Sequence, residues 1–345
     1  MPEKSTENID FDVLNKKAIS QPLVSHIYTA DPSAHYFNGK IYIYPSHDID
    51  AGEAFDDLGS HFAMEDYHVI SMDNIDSEAV DNGVVLHVND VPWAARQMWA
   101  PDAAHKDGKY YLFFPAKDYN EIFRIGVAVS DAPVGPFIPQ PEAIKGSFSI
   151  DPAVFEDEDG SYYMYFGGLW GGQLQRWRTG TFKSDDPKNP MAHLPEDNEL
   201  ALTPKVAKMR DDLLEFSEEP KDVIILDEQG NPLLAGDNNK RFFEASWLHK
   251  YNGKYYFSYS TGDTHFICYA IGDSPYGPFT YKGRILEPVI GWTSHHSICE
   301  IEEKWYLFYH DSSLSKGVTH LRSVKVNEIE HDKNGLISTL KPYKD

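Results

Sequence analysis

The chain contains only two cysteines, Cys268 and Cys299, among 345 residues. Two thiols cannot build a disulfide framework. Neither stands in a CxxC or His-rich segment that would suggest zinc, so both read as buried structural thiols. No run of 18 apolar residues occurs, and the opening MPEKSTENIDFDVLNKK has no apolar leader core. The expectation is a chain that spans no membrane, carries no visible export signal and works in the cytoplasm. Positive charge is scarce as well, with 31 Lys and Arg against 54 Asp and Glu and a formal charge of −23. A field of that sign repels phosphate backbones and argues against a nucleic-acid partner. Long helical periodicity is also missing; the best candidate helix is TPKVAKMRDDLLEF, residues 203–216, inside an insertion.

What the chain has in quantity is aromatic residues, 14% of the total. Such a share suits cross-strand pairing in an all-β protein, and also sugar binding, since pyranose rings lie flat on aromatic faces. Packing is the use expected of most of them.

One hairpin signature recurs five times: HYFNGKIYIYPS (35–46), AHKDGKYYLFFP (104–115), FEDEDGSYYMYFG (155–167), HKYNGKYYFSYS (249–260) and EIEEKWYLFYHD (300–311). In the first four a Gly follows Asn or Asp, the strongest short-range signal for a β-hairpin turn. VAVSDAPVGPF (127–137) and YAIGDSPYGPF (269–279) add a strand, a turn and a further strand after two of the copies. Each unit is thus a meander of about four strands, and radially repeated four-stranded sheets make a propeller. The expected fold is all-β: a single-domain, five-bladed β-propeller over residues 20–330, with an N-terminal extension at 1–19 and a C-terminal tail at 331–345. The long polar segments 47–98 and 168–243 read as loops decorating one rim.

Aligning the copies on Tyr42, Tyr111, Tyr163, Tyr256 and Tyr306 shows what precedes each tyrosine by eleven or twelve positions: Asp31, Trp99 or Ala100, Asp151, Glu244 and His295. Equivalent positions on propeller blades converge on the central axis. Asp31 and Asp151 each precede proline and alone would read as turn openers. His295 alone would read as a packed core histidine. Glu244 stands among Phe and Trp, where a carboxyl is costly unless it pairs or takes up a proton. Together they suggest two compatible chemistries. Glycoside hydrolysis needs a protonated acid and an ionised carboxylate, and a third carboxylate between them would raise the acid's pKa. A calcium or magnesium site needs oxygen ligands.

The segments TADPSAHYFNGKIYIYPS, MWAPDAAHKDGKYYLFF, SIDPAVFEDEDGSYYMYFGG, FFEASWLHKYNGKYYFSYS and GWTSHHSI, in this order, resemble the signature segments of glycoside hydrolase family 43. The resemblance covers about residues 20–330. It implies an inverting hydrolase with Asp31 as general base, Glu244 as general acid and Asp151 as the carboxylate that tunes and orients the acid. It also implies His295 as ligand of a divalent cation in the channel, His296 taking that role if the doublet is shifted by one. The cation would be calcium, with magnesium and manganese as alternatives. Arg322 resembles a substrate-contacting arginine, and Trp99 a stacking wall, although core packing serves Trp99 equally well. Asp102 reads as structural.

The substrate class that the resemblance implies is a small-molecule oligosaccharide carrying terminal pentoses. A β-D-xylosidase is the first reading; an α-L-arabinofuranosidase or a dual-activity enzyme is the alternative. Rim loops that wall the channel into a pocket would favour exo cleavage. A homo-oligomer is compatible with the sequence without being required by it. A retaining fructosidase would show an Asn-Asp-Pro opening and a Glu-Cys pair, which are missing. A non-catalytic sugar-binding propeller is the reading from a different class.

Overall fold

A computed structural model describes residues 9–54, 56, 58–184, 189 and 191–344; the first eight positions of the expected N-terminal extension lie outside it. Five antiparallel-dominated sheets follow one another along the chain. The first holds β1 (Tyr28–Phe37), β2 (Lys40–Asp48), β3 (Asp66–Met72) and β4 (Val80–His87). The second holds β5 (Ala94–Arg96), β6 (Asp102–Lys106), β7 (Lys109–Asp118), β8 (Phe123–Ser130) and β9 (Ile138–Pro139). The third comprises β10 (Ala153–Glu156), β11 (Tyr162–Phe166), β12 (Lys205–Lys208) and β13 (Lys221–Asp222). The fourth comprises β14 (Ile225–Leu226), β15 (Glu244–Tyr251), β16 (Lys254–Ser260), β17 (Ile267–Gly272) and β18 (Phe279–Leu286), and the fifth β19 (His296–Ile301), β20 (Lys304–Asp311) and β21 (Ser323–Ile329).

The strands β1, β6, β10, β15 and β19 each touch the next, and β19 touches β1, which closes a ring of five inner strands. The chain is a five-bladed β-propeller. Apolar side chains fill the wedges between blades. Ile41, Ile43 and Ile70 of the first blade, for example, pack on Ile301, Phe308 and Val324 of the fifth.

The repeated hairpins form as their turn residues dictate. Asn38-Gly39, Asp107-Gly108 and Asn252-Gly253 all take positive φ at both positions, the geometry that asparagine, aspartate and glycine tolerate best. The fifth copy makes the same turn with Glu302-Glu303, at φ 51° and 65°.

Three expectations need correction. Residues 47–98 are not all loop: they contain β3 and β4, whose alternation is masked by the polar faces of Asp66, His68 and Asp81. Residues 168–243 likewise contain β12, β13 and β14. Residues 203–216 form no helix. β12 pairs with β11, a bridge joins Met209 to Phe216, and the chain turns between them, with Asp212 Oδ1 accepting from the Leu214 N–H. Val206 and Ala207 are fully buried in that sheet, and burial in a ladder outweighs a weak local helical preference.

The two chain ends meet at the fifth blade. This sheet has three strands of its own, and the Leu23 N–H donates to the Val324 carbonyl along its outer edge. Residues 331–344 return across the fourth and fifth blades: Ile337 joins a buried apolar cluster and the Leu340 N–H donates to Ile285. A short helix, α1 (Phe11–Lys17), is capped by Asp10, which accepts from the Asp12 and Val13 N–H groups. No helix among the described residues is long and apolar enough to cross a membrane.

Candidate active site

One cleft opens where the inner strands converge, with about 530 Å³ of empty space that includes some open solvent. It is lined by Asp31, Trp99, Ala100, Asp151, Glu244, His295 and Arg322, so every aligned position reaches it. Leu58, Gly59 and Phe62 from the loop before β3, and Trp170, Gly171 and Gly172 from the loop after β11, complete its walls with Phe243 and Trp292.

Each carboxylate is set by a local break in its strand. Asp31 has φ 48° and lies in a bulge where the β1–β2 register shifts between Ala30 and Ser33. Glu244 begins β15, and the next residue, Ala245, has φ 63° within a second bulge. Asp151 stands just before β10 at φ 56°. Left-handed backbone is unfavourable for residues with a Cβ, so three occurrences at one mouth mark a site held open by the surrounding fold.

Asp31 is enclosed by donors. Arg322 donates to Oδ1 (2.9 Å), Ser46 donates to Oδ2 (2.8 Å), and its own N–H donates to His310 Nδ1 (2.9 Å). Burial alone would raise its pKa, but Arg322, then His310 and His295, outweigh burial and bring it to about 2. Arg322 is itself clamped by Asp48, which accepts from Nε (2.8 Å) and Nη2 (2.7 Å). The sandwich of Arg322 between two carboxylates fixes the guanidinium beside Asp31, with the Phe62 ring 4.8 Å away.

Glu244 is the reverse case. Burial raises its pKa well above the ordinary range, and Asp151 and Asp31 raise it further, while its Oε1 has no hydrogen-bond partner. Asp151 is also pushed up, first by burial and then by Asp31; its Oδ2 accepts from the Ala245 N–H (2.9 Å), which ties it to the strand that carries Glu244. One arginine cannot offset the burial of every carboxylate in the cluster, and Glu244, raised by burial and by the charge of Asp151, is the member that keeps its proton.

His295 presents Nε2 to the cleft, 3.7 Å from Asp151 Oδ2 and without a hydrogen-bond partner. A buried, unpartnered ring nitrogen beside a carboxylate fits one ligand of a divalent cation. His296 points elsewhere: it is fully buried and its Nε2 meets the Ser258 hydroxyl at 2.6 Å. Trp99 lies at the cleft wall and in the packing beneath it. It lines the cleft, yet its indole N–H donates to the Phe62 carbonyl (2.8 Å) and its ring packs on Phe123. Asp102 is a buried strut that accepts from Ser33, His35 (2.7 Å) and the Val154 N–H, joining the inner strands of three blades.

An ionised carboxylate and a protonated one sharing a cleft at a propeller mouth is the equipment of a glycosidase, and the glycosyl hydrolases family 43 profile matches residues 19–337. The chain belongs to glycosyl hydrolases family 43. It is an O-glycosyl hydrolase. Among family 43 relatives, a xylosidase/arabinosidase 43A of Humicola insolens is 63% identical, over 93% of this chain and 99% of its own length. A xylosidase/arabinosidase of Bacteroides ovatus is 60% identical, over 92% and 96%. A solved family 43 β-xylosidase/α-arabinofuranosidase from a compost metagenome, in complex with xylotriose and calcium-free, is 64% identical with a TM-score of 0.91, covering 94% of this chain and 98% of its own.

Sequence reasoning missed several residues of this family 43 site. Asp48, Ser46 and His310 orient Asp31 and Arg322, and Trp170, Trp292, Phe243 and Phe62 form aromatic walls. Asp48 and Ser46 stand on one face of β2, two residues apart, and that alternation was the available signal. Phe62 and Trp170 lie in loops outside the repeat and carried none, whereas Phe243 and Trp292 stand in the quoted signature segments beside Glu244 and His295.

Proposed function

We propose that the protein is an exo-acting, inverting hydrolase that removes terminal β-D-xylose from short xylooligosaccharides and also accepts α-L-arabinofuranosides. The observation that carries the chemistry is the divergent state of two carboxyls in one cleft, Asp31 held ionised by Arg322 and Glu244 held protonated by burial and by Asp151. In the single displacement, Asp31 takes a proton from a water that attacks the anomeric carbon. Glu244 gives its proton to the departing glycosidic oxygen. Asp151 sustains the pKa of Glu244 and anchors its strand through Ala245. Trp99, Trp170, Trp292 and Phe243 supply flat apolar surface for sugar rings, and walls contributed by both rim loops, through Leu58, Gly59 and Phe62 and through Trp170 to Gly172, support cleavage at a chain terminus. The names of the two relatives at 60% identity or more, and the xylotriose in the structural relative, support xylose and arabinose as the sugars.

His295 would hold a divalent cation, calcium by preference, with water completing its shell. Bound there, the cation would supply positive charge beside Asp151 and Asp31. The test is a panel of nitrophenyl glycosides assayed with and without a chelator, with the released sugar followed by NMR. The proposal expects turnover of the β-xyloside and α-arabinofuranoside, the first-formed xylose as the α-anomer, and calcium restoring activity lost to the chelator. First-formed β-xylose would overturn the inverting mechanism.

A further inference from the structure

Outside the cleft, the first blade gathers a second set of titratable groups. Ser46 on β2 faces Tyr67 on β3, and strand alternation puts His47, Asp66 and His68 together on the face opposite Ser46 and Asp48. His47 Nδ1 lies 2.6 Å from Asp66 Oδ1, and His68 Nε2 lies 3.9 Å from the same oxygen. The three ligand-capable atoms all fall within 4.8 Å of one another.

The surroundings orient them. His68 Nδ1 is 2.8 Å from Asp81 Oδ1, and that oxygen also accepts from the Gly83 N–H (2.8 Å). Asp81 Oδ2 is held in turn by His26 Nε2 at 2.9 Å. A histidine that gives its Nδ1 proton to a carboxylate turns an Nε2 lone pair outward, the arrangement that orients and strengthens imidazole ligands of metals. Here Nε2 of His68 faces Asp66 Oδ1, the same oxygen that His47 Nδ1 meets, so two imidazoles and a carboxylate converge on one point.

We infer that His47 Nδ1, His68 Nε2 and the Asp66 carboxylate form a transition-metal site, for zinc or a similar borderline ion, with water in the fourth position. Tetrahedral zinc with bonds of about 2.0–2.2 Å places its ligand atoms roughly 3.3 Å apart. The two observed separations, 2.6 and 3.9 Å, straddle that value, so side-chain rotation suffices to admit the ion. The side chains of His47, Asp66 and His68 are 19%, 17% and 10% exposed, which leaves a path for entry and for the water. Two imidazoles and one carboxylate select a softer ion than the calcium proposed beside His295. The ion would clamp β2 to β3 one residue from both Ser46 and Asp48, and so beneath the groups that hold Asp31 and Arg322.

The test titrates chelated and dialysed protein with zinc by calorimetry, and with cobalt by its visible spectrum. Equimolar tight binding, a tetrahedral cobalt spectrum and a raised melting temperature are expected. His68→Ala and Asp66→Asn should abolish all three, and Asp81→Asn should weaken binding by about 10–100-fold while the protein stays folded. His295→Ala should leave this binding unchanged. The inference is overturned if zinc does not bind, or if binding survives His68→Ala and Asp66→Asn. It is equally overturned if binding disappears in His295→Ala, since the ion would then belong to the cleft. Should His68→Ala fail to fold, Asp81→Asn and Asp66→Asn give the same decision.

Discussion

Asp31 and Glu244 share one cleft, and what separates their protonation states is the neighbour each faces. Arg322 touches Asp31 directly, whereas Glu244 has an unpartnered oxygen and meets the negative charge of Asp151. Glu244→Gln should therefore lower kcat by about 10²–10⁴ on natural xylooligosaccharides, with a much smaller loss on substrates whose leaving group needs no proton. Steady-state kinetics across a series of aryl xylosides would check this. The pH profile of kcat/KM follows from the same contrast. Activity falls on the alkaline side as Glu244 loses its proton, above the usual carboxylate range, and on the acid side only as Asp31 gains one near pH 2. Asp151→Asn keeps an acceptor for the Ala245 N–H but removes a charge that raises Glu244, so the alkaline limb should move to lower pH.

Among the elements, the hairpins and the returning tail carry separable costs and gains. The Glu302-Glu303 turn places two exposed glutamates in left-handed backbone where the first and fourth copies have Asn-Gly. Left-handed geometry costs residues with a Cβ about 1–2 kcal/mol. Replacing the pair by Asn-Gly should raise the melting temperature by up to about 2–4 °C, read by calorimetry, with kinetics unchanged. The tail works in the opposite sense. Tyr343 donates to Asp311 Oδ2 (2.7 Å), which also accepts from the buried Lys325 (2.7 Å). Tyr343→Phe removes a hydrogen bond to a charged group and should cost about 1.5–3 kcal/mol in chemical denaturation.

For the whole molecule, the buried carboxyl cleft is a source of instability that pH controls. A carboxyl raised by folding binds more protons in the native than in the unfolded state. Stability is then fullest below the unfolded pKa, about 4.3 for glutamate, and declines as pH rises above it. Glu244→Gln removes that penalty, so this variant should be more stable than the parent at pH 7–8, with the gap closing toward pH 4. Buried His310 acts the other way. Its pKa, lowered to about 4 by burial and by Arg322, costs stability as pH falls from about 6.5 to 4. Melting temperatures of parent and variant across pH 4–8 would separate the two effects.

The repeat, the five blades and the cleft-lining positions Asp31, Asp151, Glu244 and His295 were legible in the sequence. A propeller copies one local pattern, and radial symmetry carries equal positions to one axis. Turn chemistry at Asn38-Gly39 and its counterparts is likewise a matter of adjacent residues. The tertiary structure alone decided the rest. Asp48 and His310 are ordinary strand residues until Arg322 and Asp31 arrive from more than 270 positions away. Strands β3 and β4 look like loop in their polar surroundings until neighbouring elements bury them, β3 on both faces from Tyr67 to Met72. Which acid is ionised, and which keeps its proton, is set by distances between blades, and no stretch of sequence contains those.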